Sequence, residues 1–118
     1  MTNQALELAV AETRARIRPG FPWWLRMIVF RGTAGITIGR QVFVDTDSAG
    51  AGLEALLWHE LAHVRQINRL GAARFYWRYF AEYFANRRAG MTTTEAYGNI
   101  SFEREAREDE RLGMMDDV

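Results

Sequence analysis

His59 and His63 are the only histidines in the 118-residue chain, and they stand four apart in the stretch Trp58-His59-Glu60-Leu61-Ala62-His63-Val64-Arg65-Gln66. Residues four apart on a helix are neighbours, with Cβ atoms about 5–6 Å from each other. Two imidazoles at that spacing reach one ion at about 2.0–2.1 Å, the usual zinc–nitrogen distance. Glu60 lies about 100° round from His59 and about 60° from His63, so it shares their side of the helix. A carboxylate so placed reaches a water on the ion and takes its proton.

A helical wheel sharpens this reading. Leu53, Leu56, Leu57, Leu61, Val64 and Ile67 form one apolar arc, and Glu60 falls inside it. A carboxylate buried without a partner is costly, so Glu60 requires one. The plain alternative bridges Glu60 to a buried arginine and satisfies both imidazoles with ordinary hydrogen bonds. The full H-E-x-x-H pattern, on a helix and with an apolar pair between its charged groups, favours a metal site.

The absences narrow the chemistry further. There is no cysteine, hence no thiol nucleophile, thiolate metal site or disulfide framework. There is no lysine, since all fifteen basic residues are arginine, which removes Schiff-base chemistry and the phosphate-loop lysine. Neither Ser48 nor Ser101 sits in G-x-S-x-G. Fifteen acidic residues balance the arginines, so composition gives no reason to expect nucleic acid or an anionic membrane as partner. The longest apolar-rich run, Phe21 to Phe30, contains Arg26 and is too short to span a bilayer. The N-terminus lacks a basic segment followed by an apolar one, so the expectation is a cytoplasmic protein.

A catalytic zinc site normally uses three protein ligands and leaves a fourth position for water. With no third histidine the remaining ligand is a carboxylate, and Glu82, Glu95, Glu103, Glu105, Glu108 and Asp109 are the candidates. The run "HELAHVRQ", an aromatic-rich helix and "AYGNISFEREARE" together resemble the gluzincin metallopeptidases, most of all small bacterial single-domain members with H-E-x-x-H-V-x-Q followed by N-P-F-E-x-E-A. The resemblance covers about residues 57–107. It implies a glutamate ligand on a later helix, in a pattern such as E-x-x-A-D. Laid on this chain, that pattern makes Glu103 the ligand, with Glu105 as runner-up and Ala106 packed against the motif helix. Two positions depart from the family. Ser101 replaces a frequent proline, and Arg107 stands where an aspartate often orients a ligand histidine. Glu108 and Asp109 are the substitutes at hand for that role.

The elements that must hold these groups follow from periodicity and punctuation. Asn3 to Ile17 reads as a helix ended by Pro19-Gly20. Phe21 to Leu25 reads as an aromatic lid over the core. Arg26–Phe30, Gly35–Gly39 and Gln41–Asp45 read as three short strands with glycine turns. After the polar break Asp45–Gly50, helices are expected from Leu53 to Leu70 and from Ala72 to Arg88, each stopped by glycine. The second carries an aromatic stripe read as core, and an Arg78–Glu82 pair one turn apart. Thr92-x-x-Glu95 is a capping-box signature, and Ser101 opens a final helix to about Leu112, after which the chain should fray.

The expected fold class is α+β in one domain, residues 1–118. An N-terminal helix precedes a small antiparallel β-meander and then a mainly helical, zincin-like half that carries the motif helix. The expected activity is zinc-dependent hydrolysis of a peptide or protein substrate, with His59, His63 and Glu103 as Zn²⁺ ligands and Glu60 as general base. Tyr97 is placed as the oxyanion donor, with Tyr83 and Tyr79 as alternatives. Gln41 to Asp45 is the candidate edge strand for an extended substrate. No oligomeric state is implied. The rival readings are a latent zinc-binding protein of the same fold acting through a partner, a helical interaction module, and a metal-free carboxylate-pair hydrolase.

Overall fold

Leu6, Val10 and Ile17 suggest one long helix, yet the chain turns earlier. In the computed structural model, which describes residues 4–28 and 34–115, helix α1 spans Gln4–Thr13. Arg14 then adopts a left-handed conformation (φ 61°), and strand β1 (Arg16–Pro19) follows. Ile17 is the inward residue of an alternating Arg-Ile-Arg segment, so it belongs to a strand pattern and not to the helix. Asn68 donates to the Thr13 carbonyl at 3.0 Å and so satisfies one of the free C-terminal carbonyls of α1.

Helix α2 (Trp23–Ile28) occupies the start of the segment expected as the first strand, Arg26–Phe30. Val29 and Phe30 lie outside the described residues. Pro22 opens this helix in the manner that proline's fixed φ favours, and its carbonyl accepts from the Leu25 and Arg26 amides. The aromatic lid is half as expected: Phe21 and Leu25 are buried, while Trp23 is 75% exposed.

Strands β2 (Gly35–Ile38) and β3 (Gln41–Val44) form the expected hairpin, antiparallel across a turn at Gly39 and Arg40. The sheet order is β1-β3-β2, and β1 runs parallel to β3 with Ile17 opposite Val42. The three-stranded sheet is therefore mixed, not an antiparallel meander, because its third strand comes from before α2. Val42 and Val44 point into the core and are almost fully buried.

A short helix α3 (Thr46–Ala49) and a 3-10 turn at Gly50–Gly52 lead into α4 (Leu53–Leu70). Gly71 ends α4 and starts α5 (Ala72–Arg88); its φ of 87° is a region that side chains disfavour. A capping box at Thr92 and Glu95 opens α6 (Thr93–Gly98), as its sequence signature predicts. Helix α7 (Ser101–Met115) completes the fold.

Helix α4 is the axis of the molecule, and three apolar clusters surround it. Trp58 and Leu61 pack on Ala9 of α1. Val64 packs on Val42 and Val44 of the sheet. Ile67 packs on Phe75, Ile100 and Phe102. With the sheet on one side and helices on the others, the class is α+β with a mainly helical C-terminal half. No helix among the described residues is long and apolar enough to cross a membrane.

Helix α7 runs three residues beyond its expected end at Leu112, and packing explains why. A Cβ at Gly113 would fall on the indole ring of Trp58, so the bare glycine lets α7 lie directly on α4. Gly113 is accordingly buried and does not fray.

Candidate metal centre

The site forms where the middle of α4 meets the first turns of α7. Ala62 and Ala106 are both fully buried, and these small side chains let the two helices approach closely. Glu103 of α7 is thereby carried over His59 and His63 of α4, four residues apart on one face. His59 Nε2 lies 2.8 Å and His63 Nε2 3.1 Å from the same oxygen, Oε1 of Glu103. The rings stand edge to face with centroids 5.1 Å apart. Glu103 is 2% exposed and His63 5%, while His59 is half-buried at the open side.

The far nitrogen of each ring is tied to the protein. His63 Nδ1 lies 2.9 Å from Gln66 Oε1. Gln66 spends its amide donors on the Phe102 carbonyl at 3.0 Å and Glu105 at 3.2 Å, which leaves its oxygen as an acceptor for an Nδ1–H. His59 Nδ1 likewise meets Glu110 Oε1 at 3.2 Å. The outer nitrogens are thus held and both Nε2 atoms face Glu103: without an ion Nε2–H donates to the carboxylate, and an ion would replace that proton while Nδ1 stays tied to the protein. Tyr79 of α5 donates to the other Glu103 oxygen, Oε2, at 2.5 Å. The three side chains form a group that could hold a metal ion, with one ligand atom from each and all three within 4.8 Å of one another. Two imidazole nitrogens and a carboxylate oxygen suit zinc and other divalent ions.

The electrostatics follow from burial and from this pairing. Burial works against charge on Glu103, but hydrogen bonds from His59 and His63 outweigh it and hold the carboxyl well below its usual range. Burial also works against charge on His63, yet its hydrogen bond to Glu103 and that group's charge push it up to about 9. Burial pushes the Glu60 carboxyl up, partly offset by His63 and by the Thr37 hydroxyl. Burial and then the Glu103 charge push the Tyr79 phenol up. Tyr97 shifts upward for the same reasons, with Glu60 adding to the effect.

Glu60 is 6% exposed, and its partner is not an arginine. Thr37 on β2 donates to Glu60 Oε2 at 2.7 Å. Among the described residues Glu60 Oε1 accepts no hydrogen bond. Strand β2, not β3, is the edge of the sheet beside α4, so the expectation of an edge at Gln41–Asp45 is corrected: β3 is paired on both sides. Tyr97 is half-exposed beside Glu103 and Tyr79. Tyr83 instead joins the apolar cluster around Phe75.

The other carboxylates considered as ligands are engaged elsewhere. Glu82 accepts from the Ser101 amide and hydroxyl at 2.9 and 2.7 Å, so it caps α7 instead of pairing with Arg78. Glu95 belongs to the capping box. Glu105 meets Gln66 and lies 3.6 Å from Arg69. Glu108 pairs with Arg111, and Asp109 feels Arg65 and Arg69. Arg107 donates to the Gly98 carbonyl and takes no part in the site. Glu110, not Glu108 or Asp109, orients His59. It lies seven residues beyond Glu103, two turns along the same face of α7, and that spacing was a readable signal. Gln66, three residues after His63, offered a weaker one, and nothing local to Thr37 announces its role. No family model, curated protein or solved structure matches the chain.

Proposed function

We propose that the chain is a zinc-dependent metallopeptidase of the gluzincin kind, with His59, His63 and Glu103 as the zinc ligands. The reading is carried by the two Nε2 atoms that meet on one Glu103 oxygen while both Nδ1 atoms are tied to the protein. A bound zinc ion supplies Lewis acidity that makes water nucleophilic near neutral pH. The protein's own groups do the rest. Glu60, buried and raised in pKa, has an Oε1 that accepts no hydrogen bond from the described residues and so can take a proton from the attacking water and return it to the leaving amine. Thr37 holds the other Glu60 oxygen, so the carboxylate keeps one orientation. Gln66 and Glu110 fix the imidazoles, and Tyr79 fixes Glu103. Tyr97, half-exposed at the mouth of the cluster, is the phenol placed to donate to a developing oxyanion. Strand β2, an edge of the sheet among the described residues, supplies backbone groups for an extended peptide, although the Thr37 carbonyl already accepts from Tyr76 at 3.0 Å.

A second reading, a zinc-binding protein of this fold that acts through a partner, draws on the cavities. Two cavities among the described residues are lined around Trp58 and around Arg40, and neither includes a residue of the cluster. Glu60→Gln separates the two. As a peptidase, the protein loses about 10²–10⁴-fold in cleavage of an unstructured peptide pool, with zinc content unchanged. If wild type and Glu60→Gln bind zinc equally and neither cleaves any peptide, the partner reading holds.

A further inference from the structure

Helix α5 carries a broad arc of aromatic side chains, and the fold buries only one end of it. Phe75 is buried, and Tyr76, Tyr79 and Tyr83 pack around the cluster it anchors. Toward the other end of the arc Trp77, Phe80 and Phe84 are 77%, 53% and 60% exposed. They are spaced three and then four residues apart, which places them in one stripe about 10 Å long, with the small, exposed Ala81 within its span and Ala73 one turn before it. The expectation that the stripe of Phe75, Tyr76, Tyr79, Phe80, Tyr83 and Phe84 is core is thus corrected for Phe80 and Phe84, which Trp77 joins.

Charge segregates to the same helix. Although the chain is neutral as a whole, α5 carries four arginines against one glutamate. Arg74 and Arg78 flank the stripe along one side, and Arg87 and Arg88 sit at its C-terminal end. All four are exposed, and none forms an ion pair among the described residues. At the N-terminal end, Gly71 and Ala72 line a cavity of about 680 Å³ together with Arg14, Arg16 and Arg40, with no acidic residue in its wall. Its polar lining continues the positive charge beyond the start of the helix.

We propose that α5 docks the protein on an anionic lipid bilayer surface, with Trp77, Phe80 and Phe84 entering the interface and the arginines meeting phosphate groups. A helix with large apolar side chains on one stripe and arginines beside it has the make-up of an interfacial helix lying in the membrane plane. Arginine's long stem lets its charge reach headgroups while the rings sit deeper. The stripe is convex, which a fluid bilayer accommodates without a matching groove. A second copy of the chain is a poorer occupant: α5 against α5 would set arginine rows against each other. This is attachment to a surface, not a span, and it stands whether or not the metal centre hydrolyses anything. If it does, Tyr79 on the inner face of the same helix ties the centre to this surface, and membrane-associated polypeptide is the substrate class.

The test is co-sedimentation of the full chain with vesicles of phosphatidylcholine alone or with phosphatidylserine added. The expected result is binding to the anionic vesicles only, weakened about fivefold for each arginine removed in Arg74→Gln and Arg78→Gln. Near 1 M salt, where the Debye length falls to about 3 Å, most of this charge-driven binding should vanish. Trp77→Ala with Phe80→Ala and Phe84→Ala should abolish binding while circular dichroism stays unchanged, since each side chain is more than half exposed and Phe80 and Phe84 touch only neighbouring tyrosines of the same helix in the ring contacts they make. Three outcomes overturn the proposal: no binding to anionic vesicles, binding that survives both sets of substitutions, or lipid-free self-association that the aromatic substitutions abolish.

Discussion

At the scale of single residues, Glu103 is where two imidazoles and a phenol converge, and its neighbours decide what it can do. His59, Glu60 and His63 were legible because the chemistry restricts both residue type and spacing, whereas spacing left six carboxylates open and only the family resemblance picked out Glu103. The supporting residues were less so. Glu110 is one of several acids on α7, and its spacing from Glu103 becomes a signal only once Glu103 is taken as the ligand. Thr37 reaches Glu60 through the packing of β2 on α4, a long-range contact that no local pattern encodes. The supports make a testable difference. Gln66→Leu and Glu110→Leu should each weaken zinc affinity about 10–100-fold, measured by competition with a chromogenic chelator, while Arg107→Leu leaves it unchanged. The metal-free protein should also show the pairing in its pH response. His63 is raised from 6.5 to about 9, so its contribution is full below 6.5 and is lost as pH rises through about 9. Glu103 is depressed, so its contribution is full above 4.5 and is lost as pH falls through its lower folded value. Chelated wild type should therefore need less urea to unfold at about pH 9.5 than at about pH 5.5, and Glu103→Gln should remove most of that difference.

At the scale of elements, the helices α4, α5 and α6 and the β2–β3 hairpin stand where periodicity, glycine stops and the capping box place them. The departures cluster in the first third of the chain and at the C-terminus. Arg14 turns the backbone so that Ile17 enters a strand, and Pro22 starts a helix in a segment whose β-branched residues suggest a strand. Neither is visible without the parallel pairing of β1 with β3, which joins segments more than twenty residues apart. At the other end Gly113 reads as a helix stop, yet it is a contact glycine under Trp58. Gly113→Val should overpack that contact and destabilise the fold by about 1–3 kcal/mol, while Leu112→Ala, on the exposed face, costs much less; urea unfolding of both variants checks this. Thr92→Ala should cost about 1 kcal/mol by removing the α6 cap, read in the same way.

At the scale of the whole molecule, one helix serves as axis for three apolar clusters and also presents two of the three candidate ligands. Metal binding at this site would therefore be coupled to folding through α4 and α7. An ion that binds only the folded chain should raise the unfolding free energy by about 2.7 kcal/mol when free metal is a hundredfold above its dissociation constant. The central claim is that one divalent ion is shared by His59, His63 and Glu103, and metal content of purified, untagged protein tests it most directly. Wild type should carry one zinc per chain, and His63→Ala and Glu103→Ala should carry almost none, while Glu105→Ala keeps it. Full metal in Glu103→Ala, with loss in Glu105→Ala, would contradict the assignment, and a wild type that takes up no divalent ion would contradict the site altogether.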